Sequence, residues 1–308
     1  MKRDFLSLSD LTRGEIDEIL HLSATLKRDL KSGNRPPLLA GQTLAMVFEK
    51  PSLRTRVTFE VGMTQLGGYA IYLTPGDIQL GQRESVADIA RNLDRWVDLI
   101  MARTYSHGTL IELARHAAVP VINGLSGILH PCQVLTDCFT LIEKRGRLDG
   151  LHVAFIGDGN NVVNSWMNAA AQLGFSFALA CPSGYEPDEA IYGTAIKSGA
   201  KVRITHSVED AVKDADVLYT DVWTSMGQEE EADRRRRDFA AYQINAKVLA
   251  RAKRDALVMH CLPAHRGEEI TSDVIDGSQS IVFDQAENRL HVQKGIMVWL
   301  NDKRPKHR

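Results

Sequence analysis

The sequence predicts an α/β protein of two domains, each built on a mainly parallel sheet flanked by helices. Apolar runs of about five residues alternate with longer helical patterns along nearly the whole chain, and strands joined through helices pair in parallel. A length of 308 residues suits two domains of roughly 100–200 residues each. Gly146 to Gly150 falls between two such alternating series and reads as the junction, with a helix over 133–144 as connector. The expected division is residues 1–147 and 148–292, with a C-terminal helix from about 293 to 308 returning to the first domain.

The first domain opens with a helix in residues 6–32. Thr12 and Glu15 have the spacing of a capping box, and Ile16, Ile19, Leu20 and Leu26 recur on one face. Gly33-Asn34 and Pro36-Pro37 end it. Leu44 to Phe48 reads as a buried strand. Pro51 turns the chain before it away from helix, Ser52 caps a helix reaching about Leu66, and Gly67-Gly68 stops that helix. Tyr69 to Leu73 is the next strand, followed by a loop around Gly76, Gly81, Arg83 and Glu84. A helix over 85–96, a strand from Leu99 ending at Arg103, a helix over 109–117 and a strand from Pro120 to Asn123 complete the series. His130-Pro131-Cys132-Gln133 then leads into an apolar helix reaching about Lys144.

The second domain starts with a strand from His152 to Ile156, the turn Gly157-Asp158-Gly159-Asn160-Asn161-Val162, and a helix to Leu173-Gly174. This is a dinucleotide fingerprint without its third glycine. The next strand, Phe177 to Ala180, runs into Cys181-Pro182 where a ribose-binding acid belongs. A parallel α/β unit is still implied; an NAD(P)-binding oxidoreductase is left as a remote alternative. Further strands are expected over 201–204, 217–220, 257–259 and 280–283, the last three ending at Asp221, His260-Cys261 and Asp284. Glu229 to Glu231 and Arg234 to Arg237 read as a solvated helix, because the adjacent opposite charges nearly cancel.

Composition is that of an ordinary globular protein, with 44% hydrophobic and 25% charged residues and a net charge of −2. Nothing in it points to nucleic acid or an anionic membrane as a partner. No apolar run approaches the ~20 residues of a membrane span. Asp4 comes early and no apolar leader segment follows, so no export signal is read and a cytoplasmic location is expected. Cys132, Cys138, Cys181 and Cys261 lack C-x-x-C spacing, which argues against structural zinc and fits a reducing compartment. His260 and His265 lack the helical spacing of a metal pair, and no metal is expected.

Parallel sheets bind ligands beyond the C-terminal ends of their strands. Ser52 to Thr55 lie at such an end. A helix opening at Ser52 offers backbone N–H groups and the positive end of its dipole, with Arg54 and two hydroxyls beside them, a fit for phosphate. A capped helix with solvated arginines would share this pattern; Arg103, at a neighbouring strand end, favours the anion. His130 beside such a site can polarise a carbonyl, and Gln133 can hold an amide. Taken alone, a lone histidine is more often a structural hydrogen-bonder, and a lone cysteine such as Cys261 an inert buried thiol.

Five stretches, in order and spanning nearly the whole chain, resemble one family. Phe48 to Arg56, containing Ser52-Leu53-Arg54-Thr55-Arg56, is similar to the S-T-R-T-R phosphate loop of the carbamoyltransferases, and His130-Pro131-Cys132-Gln133 to their H-P-x-Q. Gly157 to Asn161, Asp221 to Gln228 and His260-Cys261-Leu262-Pro263 narrow the resemblance to the ornithine carbamoyltransferase family. It implies condensation of carbamoyl phosphate with L-ornithine to L-citrulline and phosphate through a tetrahedral intermediate, with no cofactor and no metal. It implies that Ser52, Leu53 (through its N–H), Arg54, Thr55 and Arg103 hold the phosphate. Thr55, Arg103 and His130 would polarise the carbonyl oxygen, Gln133 would hold the amide, and Arg289 would also bind carbamoyl phosphate. Asn161, Asp221, Ser225 and Met226 would grip ornithine's α-amino and carboxylate groups. Cys261 and Leu262 would lie near its δ-amine, which Cys261 and Asp221 would orient or deprotonate. The resemblance further implies a homotrimer, or a multiple of one, with Gln79 reaching a neighbouring subunit's site.

One residue departs from the family pattern. Leu53 stands where the loop usually carries Thr, a loss of one hydroxyl contact worth roughly 0.5–1.5 kcal/mol. Related enzymes acting on acylated ornithines can also carry Leu there. A sister carbamoyltransferase for an acylated ornithine, putrescine or aspartate is therefore the alternative.

Overall fold

The computed structural model describes residues 2–81, 83–225 and 227–303. The chain divides into two compact units, Met1–Phe139 with Glu287–Arg308, and Thr140–Ala286.

In the first unit, β1 (Thr43–Phe48), β2 (Tyr69–Leu73), β3 (Leu99–Arg103) and β4 (Val121–Leu125) form one parallel sheet in the order β2-β1-β3-β4. The helices α1 (Arg13–Lys31), α2 (Leu53–Gln65), α3 (Pro75–Ile78), α4 (Val86–Trp96) and α5 (His107–His116) punctuate it. The capping box of α1 forms as its spacing predicts, Thr12 accepting from the Glu15 N–H and Glu15 from the Thr12 N–H. Val86, Ile89, Ala90 and Leu93 recur at helical spacing on α4 and pack, with Leu110 and Leu113 of α5, onto Ala45, Val47, Ile100 and Ala102 of the sheet. Burial of that stripe is what ties these helices to the sheet. The following helix, α6 (Pro131–Arg145), starts just after His130.

The second unit holds β5 (His152–Ile156), β6 (Ser176–Ala180), β7 (Val202–Thr205), β8 (Val217–Thr220) and β9 (Leu257–His260), all parallel, in the order β7-β6-β5-β8-β9. Its helices are α7 (Asn161–Leu173), α8 (Glu189–Lys197), α9 (Val208–Val212), α10 (Ala232–Phe239), α11 (Ala246–Leu249) and α12 (Ser272–Ile275). Trp166 of α7 stacks on Phe177 at 6.0 Å and meets Tyr219 edge-on at 5.5 Å, filling one side of the sheet.

Strand order reverses between β1 and β3 in the first sheet and between β5 and β8 in the second. Such reversals open a crevice at the strands' C-terminal ends, where open α/β sheets take their ligands.

The expected strand over 280–283 is not formed. Ser280 makes one parallel bridge to Val258, and α13 (Val282–Asp302) begins two residues later. The apolar run Ile281-Val282-Phe283 straddles the last extended residue and the first helical turn, which a periodicity reading cannot separate over so short a length. Asp284 is therefore a first-turn acid, favoured by the helix dipole, and pairs with Lys144 at 2.8 Å. The C-terminal helix, expected from about residue 293, is a single helix of 21 residues. Gly295 lies inside it because α1 passes close by: a Cβ there would collide with Ser23 Oγ and crowd the Ile19 carbonyl. Among the described residues, no helix is long and apolar enough to cross a membrane.

Candidate functional site

The first unit gathers its candidates at the β1/β3 reversal. Ser52 caps α2 with an extended backbone and accepts the Thr55 N–H at 3.3 Å. The Ser52 hydroxyl donates in turn to Thr55 Oγ1 at 3.1 Å. Leu53 occupies the first helical position, where the N–H has no intrahelical acceptor, and its side chain is 74% exposed. Arg103 is buried at the end of β3, opposite Phe48 of β1 in register. Its carbonyl accepts from the Glu49 N–H at 2.9 Å, fixing the two strand ends together.

Thr55, 1% exposed, also accepts from Arg289 Nη2 at 3.0 Å. Its Oγ1 thus receives two hydrogen bonds, and the one proton it can donate is left for another acceptor. Arg289 comes from α13 and also donates to Gln133 Oε1. Gln133 Nε2 donates to the buried Asp137 at 2.8 Å. The amide is therefore fixed in orientation, with Oε1 retaining a second lone pair. His130 is buried where α6 starts, its carbonyl accepting from the Gln133 and Val134 N–H groups. Burial first, then the fields of Arg289, Arg103, Lys50 and Arg54, hold its pKa well below the ordinary histidine value. His130 is accordingly a neutral imidazole among cations.

Lys50 is the member of this group that the sequence reading passed over. It is 7% exposed, with Nζ 4.8 Å from the centre of the Tyr105 ring. A lysine before a turn proline gives no sequence signal of burial. Arg56, the last residue of the loop motif, is exposed, pairing with Glu60 at 3.2 Å and lying over Tyr72. Gln79 sits on an exposed left-handed turn, φ 42°.

In the second unit, the β5/β8 reversal brings together the Gly157–Asn161 turn and Asp221. Asn160 caps α7, accepting from the Val162 and Val163 N–H groups, and its Nδ2 donates to Asp221 Oδ2 at 2.8 Å. Asp221 Oδ1 accepts from the Val222 N–H at 2.8 Å and from the Cys261 thiol at 3.0 Å. Asn161 follows at the first position of α7. Gly159 is packed under the backbone of Tyr185 to Pro187, with which any Cβ would collide. That glycine serves chain packing, which explains a fingerprint-like turn without its remaining features. Ser225 donates its N–H to Gln228 Oε1 at 3.1 Å. Met226, the other residue expected in this loop, lies outside the described residues.

His260, fully buried, supports the Cys261-Leu262 turn. Its Nδ1 accepts from the Leu262 N–H at 2.8 Å, so the ring proton is on Nε2, which donates to the buried Glu269 at 3.1 Å. Leu262 is thereby held at φ 58°, a conformation few non-glycine residues adopt. Two triads of possible metal donors lie within 4.8 Å of one another among the described residues: Asp221, His260 and Cys261, and His265, Glu268 and Glu269. In the first, both ring nitrogens of His260 are already engaged. In the second, Glu268 binds Arg236 at 3.1 Å and Glu269 accepts the His265 N–H at 2.6 Å.

Within the charged run at 229–237, expected to be solvated, Arg235 departs from that character. Arg235 is 5% exposed. It pairs with Asp158 at 3.1 Å and Glu231 at 3.2 Å and donates to the Trp223 carbonyl at 2.8 Å. Burial raises the Asp158 pKa to about 6 against the opposing pull of Arg235. One arginine thus ties the 157–161 turn to the 221–225 segment. Charge alternation averaged over the run conceals it.

Fold and side-chain placement together define a parallel α/β protein of two units, with cations collected at one sheet reversal and a carboxylate–thiol pair beside the other. The carbamoyl-P binding domain of aspartate/ornithine carbamoyltransferase matches residues 3–143, and the Asp/Orn binding domain matches residues 149–300. The chain belongs to the aspartate/ornithine carbamoyltransferase family. It is 53% identical over 298 residues to the ornithine carbamoyltransferase of Syntrophus aciditrophicus, covering 96% of this chain and 99% of that one. The ornithine carbamoyltransferase of Methanocorpusculum labreanum is 54% identical over 300 residues, 97% of this chain and 98% of its own. Among solved structures, that of the Pyrococcus furiosus ornithine carbamoyltransferase superposes with a TM-score of 0.93 at 52% identity, covering 96% of each chain.

Proposed function

We propose that the protein transfers the carbamoyl group of carbamoyl phosphate to the δ-amine of L-ornithine, giving L-citrulline and phosphate. The observation that carries this reading is the buried group of His130, Thr55, Gln133 and Arg103, in which Arg289 hydrogen-bonds both Thr55 and Gln133 and burial with the fields of Arg289, Arg103 and Arg54 favours the neutral imidazole. Carbamoyl phosphate needs cations for its phosphate and an uncharged donor for its carbonyl oxygen, and this group supplies both. Residues 1–147 take carbamoyl phosphate and 148–292 take ornithine.

Ser52, the Leu53 N–H, Arg54, Thr55 and Arg103 hold the phosphate. Thr55 turns its one remaining proton to the carbonyl oxygen, with His130 and Arg103 beside it. Gln133 offers the second lone pair of Oε1 to the carbamoyl amide, and Arg289 fixes both Gln133 and Thr55. As the amine attacks, charge moves to the carbonyl oxygen and then to the leaving phosphate. Each preorganised donor at those places lowers the barrier by about 3 kcal/mol. Asn161, Asp221, Ser225 and Met226 bind ornithine's α-amino and carboxylate groups. Cys261 and Leu262 lie against the δ-amine, which reacts only after losing its proton. Asp221, hydrogen-bonded to the Cys261 thiol, orients that amine. The chemistry is completed by donors and proximity.

We assign the protein to the cytoplasm and to a homotrimer, or a multiple of one, in which Gln79 of each subunit serves its neighbour; the exposed turn that carries Gln79 supports this. The exposed, apolar Leu53 side chain favours one second reading, an acylated ornithine as acceptor. Purified protein given carbamoyl phosphate and L-ornithine, with no added metal, is expected to form citrulline. Absence of citrulline overturns the assignment, and faster carbamoylation of an N-acylornithine, putrescine or aspartate in competition replaces it with the corresponding sister activity.

A further inference from the structure

The turn from β1 into α2 buries a cation that the reading above leaves without a task. Lys50 is 7% exposed, yet among the described residues its ammonium makes no hydrogen bond and no ion pair. Its neighbour there is the Tyr105 ring, 4.8 Å away. Buried lysines ordinarily meet a carboxylate. The adjacent one, Glu49, is instead turned to the Tyr105 N–H at 2.7 Å.

The groups around this amine leave it short of negative charge. Arg103 from the end of β3 opposes its protonation, Glu49 favours it, and the Tyr105 ring offers only a quadrupole. The Lys50 charge is also felt at His130, together with those of Arg289, Arg103 and Arg54. Lys50 therefore belongs electrostatically to the cluster that faces the anion, not to the solvated surface. Burial first and Arg103 second bring its pKa down to about 8.

We propose that Lys50 is a further cation of the phosphate site, acting only as the ammonium, so that an anion and one proton bind together at mildly alkaline pH. This rests on the carbamoyl phosphate reading for the identity of the natural anion. An incoming dianion offsets Arg103 and restores the amine's affinity for its proton. Below about pH 8 the ammonium is already present, and binding takes up no proton. Above it, the binding-competent fraction shrinks, and affinity falls with it. The arginines stay charged across this range, His130 stays neutral, and the Cys132 thiol, pushed up to about 12, does not titrate.

Inorganic phosphate, a dianion at these pH values, is the probe. Calorimetric titration in two buffers of different ionisation enthalpy counts the protons taken up. Wild type is expected to take up about 0.7 to 0.9 of a proton between pH 8.5 and 9 and to bind about eightfold more weakly at pH 9.5 than at 8.5. Lys50→Arg, always charged, is expected to bind with no uptake and no such loss. Its KM for carbamoyl phosphate should be flat with pH. Lys50→Met should bind at least about tenfold more weakly at pH 7.5, with no uptake. Wild-type binding without proton uptake, no phosphate binding at all, or uptake undiminished in Lys50→Arg overturns the proposal, and the first two need no variant. Citrulline formation, measured on the same preparations at pH 7.5, separates the two failures. Wild type that makes citrulline but takes up no proton loses Lys50 alone. Wild type that makes no citrulline loses the reaction, while the proton count still stands or falls by itself.

Discussion

The two units reverse strand order in the same manner and place different chemistry at the reversal. In the first, between β1 and β3, Lys50, Arg54, Arg103 and Arg289 surround a neutral imidazole. In the second, between β5 and β8, the residues at the strand ends are Asp158 and Asp221, with Cys261 bonded to the latter. Asp158 is answered by a single buried arginine. Topology fixes where a ligand can lie; the side chains at the strand ends decide which ligand it is. One crevice gathers cations about an imidazole; the other sets carboxylates beside a thiol.

The contrast is broken most directly by kinetics on both substrates. Arg54→Ala and Arg103→Ala are expected to lower kcat/KM for carbamoyl phosphate by on the order of 100- to 1000-fold, with the ornithine KM little changed. Asp221→Ala should raise the ornithine KM and leave phosphate binding intact. Equal effects of each variant on both substrates would end the division of labour. An effect of similar size is expected for stability at Arg235. Arg235→Met strands a buried Asp158, and the second unit should lose about 3–5 kcal/mol by urea unfolding, with phosphate binding to the first unit unchanged.

Acid titration sharpens the comparison, because the two buried groups act with opposite signs. The Asp158 pKa is raised to about 6 from about 3.9 unfolded. Its stabilising contribution, about 3 kcal/mol, is complete below about pH 4 and lost as pH rises through about 6. His130 is held below its unfolded value of about 6.5, so its unit is destabilised as pH falls through about 6.5. Unfolding free energies against pH, compared with Asp158→Asn and His130→Gln, should therefore diverge in opposite directions. Parallel curves would refute both assignments. Least of all, Leu53→Thr should tighten phosphate binding by about 0.5–1.5 kcal/mol, roughly a two- to twelvefold change readable by calorimetry.

Much of this was legible in the sequence where a local rule has a local cause. The Ser52 cap, the Thr12/Glu15 box and the alternating strands announce themselves within a few residues of one another. The incomplete glycine turn correctly signalled a parallel unit while arguing against a dinucleotide. What was hidden depends on distant partners. Burial of Lys50 and Arg235 is set by β3, Asp158 and the Trp223 carbonyl, none adjacent in sequence. The start of α13 was misread because a β-branched pair at a helix start looks like strand. Arg289 entered through family resemblance alone, since nothing in a helix's periodicity says that one of its arginines orients a threonine 234 positions earlier.

That separation carries a consequence for how the protein is made. The Thr55–Gln133 pair acquires its orienting guanidinium only when the last helix, seated on α1 through Gly295, has left the ribosome. Until then the emerging chain, however well its first sheet has formed, lacks a finished pocket. Synthesis broken off anywhere before α13 yields a polypeptide without the guanidinium that holds Thr55 and Gln133 together, so that helix is a condition of their arrangement.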